Sequence, residues 1–199
     1  ITKNTLATAS FANTKDEGGL LVSKNVASPS SSDEGKYFTF VVSLLKDDGT
    51  VDADVQQTYG DMQFANGIAT ILLKHGDQAV ASGINEGKKY KVEEVVTTAD
   101  TVRAACNISD DAKQGIVEKL YGKLDHFTTT ITTGEGTGAE TTSRTIKSDA
   151  ITNTVTPIHY TNTHKTGKLT LSKKLITKLE ADANREFVFT VKLDDKTIN

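Results

Sequence analysis

An internal repeat with an offset of 149 residues sets the organisation of this chain. The segment FANTKDEGGLLVSK (11–24) aligns without a gap on YTNTHKTGKLTLSK (160–173). The same offset aligns YFTFVVSLL (37–45) with EFVFTVKLD (186–194). An offset shared by two segments and by the loop between them is typical of structural units arranged in tandem.

The repeat is out of phase with the sequence, so we expect one complete unit flanked by two partial ones. Residues 1–15 are expected to be the closing strand of a preceding unit, 16–167 a complete unit, and 168–199 the opening strands of the next unit. Neither flanking part is long enough to bury a core of its own. Either the sequence was cut within the repeat, or neighbouring molecules complete the two parts.

The composition of the chain is typical of an all-β protein. Thr, Val, Gly and Lys are abundant, there are two prolines and no Trp, and short alternating runs end at turn-forming residues. Seven short strands separated by turn signals favour a β-sandwich. The predicted strands are 19–26, 36–45, 67–74, 89–97, 126–133, 141–147 and 152–162.

One segment, 109–124, departs from the strand pattern. Ser109 is a suitable N-cap, acidic residues follow it, and apolar residues recur at helical spacing on one face. The pattern predicts an inserted amphipathic helix, which we expect to cover a sheet edge. The residues of its apolar face are Ile116, Leu120 and Leu124.

Charge and composition argue against several classes of function. A net charge of -3 with scattered lysines gives no basic surface for nucleic acid, and no apolar run approaches the length of a membrane span. A single cysteine, Cys106, excludes a disulfide framework within the chain and a zinc site of several cysteines. We expect no cofactor. We also expect no metal, because two of the four histidines point to opposite faces of a strand end and the other two lie on separate strands. The four histidines are His75, His126, His159 and His164.

Three predicted strands each place a polar residue at the end of an apolar face. Because side chains alternate along a strand, Lys24, Glu94 and Asn162 point to the same side as the two apolar residues that precede each of them at spacing two. Buried polar groups need partners, so these three side chains are expected to meet. The apolar residues of these faces are Leu20 and Val22, Tyr90 and Val92, and Ile158 and Tyr160.

Burial of these three groups would give them a specific chemistry. If the first and last strands are neighbours, Lys24 and Asn162 touch, and Glu94 arrives from the facing sheet. An apolar site favours a free amine and a neutral acid. The acid is expected to hydrogen-bond the asparagine carbonyl and to carry a proton from the attacking amine to the departing ammonia, leaving an amide. Fixed proximity, equivalent to roughly 10⁵ M or more, would supply the rate.

Three segments that contain these residues resemble a known family. GLLVSK (19–24), the block from YGDMQ to KVEE (59–94) and YTNT (160–163) resemble the streptococcal-type pilin isopeptide-linkage domains of Gram-positive pili and surface adhesins, relatives of the collagen-adhesin B-type repeats. The resemblance covers most of 16–167, and the block 59–94 is its most specific part. The region 99–125 departs from it, as an insertion would. The resemblance implies an immunoglobulin-like β-sandwich of the collagen-adhesin B type, with one inserted helix, in a tandem array.

In that family, an opening-strand lysine, a closing-strand asparagine and the glutamate of a Tyr-x-Val-x-Glu motif form an autocatalytic cross-link. The resemblance implies that Lys24 and Asn162 form the bond and that Glu94 is catalytic, whereas the adjacent Glu93 would face outward. By the same matching, Lys173 and Asn13 belong to the cross-links of neighbouring repeats.

These features together predict a structural repeat of a Gram-positive cell-surface pilus or adhesin stalk. We expect an extracellular, cell-wall-anchored protein whose partners are neighbouring repeats or subunits and a host-surface ligand. It would act once on itself, without an external substrate. Two alternatives stay open: an adhesin module that binds a host glycan or matrix protein, and an accessory domain of a secreted carbohydrase.

Overall fold

The structure of the chain is a computed structural model with two separate units. Unit 1 is Ile1–His164 and unit 2 is Lys165–Asn199, and each is described by itself. The residues that the structure describes are 10–105, 124–134, 139–141, 143–148, 150–182 and 184–191. Within them, no helix has the length and apolar character needed to span a membrane.

Unit 1 is built mainly from β-strands, with a few short helical segments. The helical segments are α1 (Ser31–Glu34), α2 (Ala99–Ala105) and a 3-10 turn (Leu124–His126). The strands are β1 (Glu17–Ala27), β2 (Phe38–Leu45), β3 (Thr58–Tyr59), β4 (Met62–Gln63), β5 (Ile68–Leu73), β6 (Gln78–Asn85), β7 (Lys89–Val95), β8 (Phe127–Thr133), β9 (Ala139–Thr141), β10 (Thr145–Ser148) and β11 (Val155–His164).

Two sheets form the layers of a sandwich. The first has the order β6-β1-β11-β8-β9, the second β10-β7-β2-β5, and β3 and β4 form a separate small ribbon. The first and last long strands, β1 and β11, are parallel neighbours, whereas the other pairs are antiparallel. This arrangement confirms the predicted all-β sandwich. The opening and closing strands are neighbours, which is the condition on which the expected contact between Lys24 and Asn162 depended.

The core lies between the two sheets and is aromatic at its centre. Phe40 of β2 meets Tyr160 of β11 edge to face, with ring centroids 4.9 Å apart, and Phe38 meets Phe127 at 5.9 Å. Burial alternates along β1, β7 and β11, as expected for strands with one face toward the core. The alternation continues through the polar residues at the ends of these faces, so they are buried as well.

The structure corrects several of the predicted elements. The predicted strand 141–147 is two short strands in different sheets, because the chain turns from β9 to β10 through Arg144, which has a φ of 50°. Strand β6 and the short helix α2 were not predicted. The predicted helix 109–124 lies outside the described residues except for Leu124, which is in the 3-10 turn.

Unit 2 contains no strand among its described residues. A 3-10 turn covers Glu180–Asp182, and most of its large apolar side chains are exposed. One contact repeats a contact of unit 1: Lys173 Nζ lies 4.2 Å from the centroid of the Phe187 ring, and Lys24 Nζ lies 4.2 Å from that of Phe38. Both pairs are related by the offset of 149 residues.

Candidate functional site

The strand arrangement brings Lys24, Glu94 and Asn162 together in the core of unit 1. Lys24 on β1 is paired with Tyr160, and Asn162 lies two residues further along β11 on the same face of the sheet. Glu94 comes from β7 in the opposite sheet. Their exposed fractions are 2%, 4% and 0%, so all three polar groups are removed from water.

A single carboxylate oxygen connects the amine with the amide. Lys24 Nζ donates a hydrogen bond to Glu94 Oε1 at 2.6 Å, and Asn162 Nδ2 donates to the same oxygen at 2.8 Å. The other oxygen, Glu94 Oε2, has no hydrogen-bond partner within the described residues and lies 3.6 Å from Arg144 Nε. Glu94 is therefore placed to exchange protons with both nitrogen atoms.

Aromatic rings enclose the amine. Lys24 Nζ lies 4.2 Å from the ring centroid of Phe38 and 5.9 Å from that of Phe40, and the negative faces of such rings attract a cation. The Tyr160 hydroxyl donates to the carbonyl of Val92 at 2.9 Å. Burial raises the pKa of Tyr160, so this phenol stays neutral beside the site.

The pKa of Lys24 is lowered from 10.5 to about 8, chiefly because burial disfavours the charged ammonium. The charge and hydrogen bond of Glu94 act in the opposite direction, and the positive charge of Arg144 lowers the Lys24 pKa further. At a given pH, a larger fraction of Lys24 is therefore the neutral, nucleophilic amine than of a lysine in water.

Two further side chains, which the sequence analysis missed, complete the site. Thr129 Oγ1 on β8 donates to Asn162 Oδ1 at 2.9 Å, and Arg144 Nε donates to Thr129 Oγ1 at 3.0 Å. The expectation that Glu94 hydrogen-bonds the asparagine carbonyl is therefore wrong. Glu94 accepts a hydrogen bond from the amide nitrogen of Asn162, and Thr129 donates one to its carbonyl oxygen.

Residues 18–163 match a family described as "Domain of unknown function (DUF7601)". The chain belongs to this family. No curated protein matches the chain.

The comparison with solved structures found two pilus proteins that are similar to this chain. The pilus-presented adhesin Spy0125 (Cpa) has a TM-score of 0.50 and 21% identity, over 75% of this chain and 28% of that chain. The major pilin from Streptococcus pyogenes has a TM-score of 0.48 and 15% identity, over 75% of this chain and 48% of that chain. The chain thus spans less than half of either. The likeness to the adhesin, at 21% identity, shows that the two proteins share a fold, as the resemblance in the sequence implied.

The remaining residues singled out in the sequence lie outside this cluster of the DUF7601 domain. Asn13 is exposed in the segment before β1, and Lys173 belongs to unit 2. In the part of the chain that the structure describes, no group of three or more His, Cys, Asp or Glu residues could hold a metal ion.

Proposed function

We propose that residues 16–167 form a structural repeat of a Gram-positive cell-surface pilus or adhesin stalk, cross-linked internally by an isopeptide bond between Lys24 and Asn162. Glu94 is the catalytic residue of this single reaction. The observation that carries the proposal is the shared acceptor: in a core closed to water, one oxygen of Glu94 accepts hydrogen bonds from both the amine and the amide nitrogen.

The bonds that form and break lie within the three side chains, and the reaction balances without a co-reactant. Glu94 takes a proton from Lys24 Nζ, and the neutral amine attacks Cγ of Asn162. Glu94 then gives its proton to Nδ2 and takes one from Nζ. The bond between Cγ and Nδ2 breaks, ammonia leaves, and an amide joins Nζ to Cγ. The protein consumes no external substrate and reacts once.

The position of the proposed bond supports a mechanical role. It would join β1 to β11, which are the first and last long strands of unit 1 and are direct neighbours. In a tandem array, force enters a repeat through its first strand and leaves through its last. A covalent link between these strands would carry the load past the sandwich. The names of the structurally similar adhesin and pilin support a place on the cell surface.

Unit 2 supports the proposal that the protein is a tandem array. Phe187 is 41% exposed and Leu169 is 70% exposed, whereas their counterparts Phe38 and Leu20 are fully buried. The contact between Lys173 and Phe187 repeats the contact between Lys24 and Phe38, although Lys173 is exposed and Lys24 is buried. We propose that residues 168–199 open the next repeat, with Lys173 as its cross-linking lysine. Residues 1–15, with Asn13, would close the preceding one.

The intact mass of the folded protein tests the cross-link. We expect the wild-type chain to be lighter than calculated by one ammonia, and Glu94→Ala to have the full mass. Glu93→Ala is the matched control, because Glu93 is the adjacent residue on β7 and its side chain is 30% exposed and paired with Lys91. This control should lose ammonia like the wild type. A folded wild-type chain of full mass would contradict the proposal, and loss of ammonia from Glu94→Ala would refute the role of Glu94.

A further inference from the structure

The carbonyl oxygen of Asn162 is the one reacting atom that the mechanism above leaves without a partner. When the amine attacks Cγ, negative charge develops on Oδ1, and this charge must be stabilised in a core that excludes water. Donors fixed in advance around such an oxyanion are among the largest contributions to catalysis of acyl transfer. Thr129 Oγ1 lies 2.9 Å from this oxygen and donates to it.

We propose that Thr129 is a second catalytic residue of the cross-linking reaction, which donates its hydroxyl hydrogen to the oxyanion on Asn162 Oδ1. Arg144 is the positioning residue that holds this hydroxyl in the donating orientation. This inference rests on the proposed cross-link and adds to it a source of stabilisation for the tetrahedral intermediate.

The direction of the hydrogen bonds follows from the chemistry of the groups. A guanidinium has no acceptor, so Arg144 Nε can only donate to Thr129 Oγ1, at 3.0 Å. The threonine hydroxyl has a single hydrogen, and this hydrogen is left for Asn162 Oδ1. The carbonyl oxygen of the asparagine therefore faces Thr129 and its amide nitrogen faces Glu94. This is the orientation in which the leaving nitrogen lies beside the proton carrier.

The backbone holds the donor in place before the reaction. Thr129 is directly paired with Asn162 between β8 and β11, and it is 1% exposed. Arg144 is fixed from three sides: its carbonyl accepts from the Glu94 N–H at 3.0 Å, and its Nη2 donates to the carbonyls of Phe127, at 3.2 Å, and Leu124. Its backbone has a φ of 50°, a conformation that is uncommon for a residue with a side chain.

Charge gives Arg144 a second effect on the same reaction. Once Glu94 has taken the proton from Lys24, both of these groups are neutral, whereas the guanidinium stays charged and is linked to the carbonyl oxygen of Asn162 through the Thr129 hydroxyl. Its Nε lies 3.6 Å from Glu94 Oε2, so it is close to the carboxyl throughout. Among the residues that the structure describes, the charged groups that act on the Lys24 amine are Glu94 and Arg144, and the rings of Phe38 and Phe40 lie near it.

The rate of ammonia loss tests the role of Thr129. The full chain is synthesised in a short pulse of cell-free translation, and samples are quenched in acid at intervals. Mass spectrometry then measures the intact mass of the protein in each sample. We expect Thr129→Val, which has the same shape but no donor, to lose ammonia about 10²–10³ times more slowly than the wild type. Thr129→Ser keeps the hydroxyl and should restore a rate close to that of the wild type. Circular dichroism of each purified variant establishes that it is folded.

Substitutions of Arg144 keep the test decisive if Thr129→Val does not fold. In the reactive state, Lys24 and Glu94 together carry one titratable proton, either on the amine or on the carboxylate. Loss of this proton at alkaline pH should lower the rate, which gives the pH–rate profile an alkaline limb. Arg144→Met removes the positive charge that lowers the Lys24 pKa, so we expect a slower reaction whose alkaline limb lies at higher pH. Arg144→Lys keeps the charge and should leave the limb close to its wild-type position.

The outcomes separate this inference from the proposed function. A wild-type chain that never loses ammonia overturns the cross-link itself. A wild-type chain that reacts, together with a folded Thr129→Val variant that reacts equally fast, overturns the role of Thr129. If Arg144→Met reacts at the wild-type rate with an unmoved alkaline limb, the role of Arg144 is overturned.

Discussion

Lys24 is an unusual residue for the interior of a β-sandwich. It is buried, its ammonium contacts Glu94 and lies near aromatic rings, and its pKa is lowered to about 8. A buried ion pair is weak support for stability, because the loss of hydration offsets much of the attraction between the charges. On our account, the pair is present for its reactivity, and the cross-link removes the buried charges when it forms.

The titration of Lys24 gives a prediction for the variant that cannot cross-link, Asn162→Ala. The unfolded lysine holds its proton up to pH 10.5, whereas the folded lysine releases it near pH 8. Between these values the unfolded state binds more protons, so the free energy of unfolding should rise with pH, by on the order of 3 kcal/mol. Urea unfolding at a series of pH values measures this rise.

The cross-linked wild type is the control for this measurement. Its Lys24 nitrogen is an amide and does not titrate, so the rise should be absent from it. Equal pH dependence in Asn162→Ala and in the wild type would contradict a buried, titrating lysine.

The sequence identifies some residues of the site better than others. Lys24, Glu94 and Asn162 can be found because each interrupts an apolar face of period two. Thr129 cannot, because β8 reads FTTTITT and its threonines look alike in the sequence. Which of them meets Asn162 depends on the register between β8 and β11, and this register is a property of the folded sheet. Arg144 was missed because a turn residue beside a short strand has no periodic signal.

Among the elements, the long strands with strict alternation were predicted and the short or weakly apolar ones were not. Strand β6, QAVASGIN, has small side chains and a glycine, so its inward face gives a weak signal, although it pairs with β1 along most of its length. Strands β9 and β10 were read as one strand, because alternation does not show that the chain passes from one sheet to the other.

The start of β1 depends on close backbone contacts that glycine permits. A Cβ atom at Gly19 would lie 2.1 Å from the carbonyl oxygen of Ala81 on β6, whereas at Gly35 the nearest atom, the Ser32 oxygen, is 3.8 Å away. In the Asn162→Ala background, we expect Gly19→Ala to lower the free energy of unfolding by about 1–3 kcal/mol, because β1 must shift away from β6.

Gly35→Ala is the matched control and should change that free energy by less than about 0.5 kcal/mol. Chemical denaturation measures both substitutions in the same background. An equal midpoint of unfolding in the two variants would contradict the inference that β1 packs closely against β6 at Gly19.

For the molecule as a whole, the parallel pairing of β1 and β11 is the important feature. Pulling on the two ends of unit 1 shears these strands along their common ladder of hydrogen bonds. The proposed bond lies toward the C-terminal ends of both strands and closes a loop of 138 residues between positions 24 and 162. On the loop-entropy model used for disulfides, such a link removes about 5 kcal/mol of freedom from the unfolded chain.

Single-molecule pulling tests the mechanical role. We expect no step that corresponds to the release of residues 24–162 in the wild type, because the load passes through the covalent bond. Glu94→Ala should unfold in a step of about 450–500 Å, from 3.3–3.6 Å for each released residue. Glu93→Ala should behave like the wild type. A wild-type step of the full length would show that the domain is not protected against force.

The proposed function depends on a covalent bond between Lys24 and Asn162, and peptide mapping of the folded wild-type protein would detect this bond. Trypsin cleaves after free lysine but not after a lysine whose side chain is an amide. We predict one branched peptide that joins the segment around Lys24 to the segment around Asn162 and is one ammonia lighter than its two parts together. A linear peptide that ends at an unmodified Lys24, found together with an intact Asn162 amide, would contradict the account.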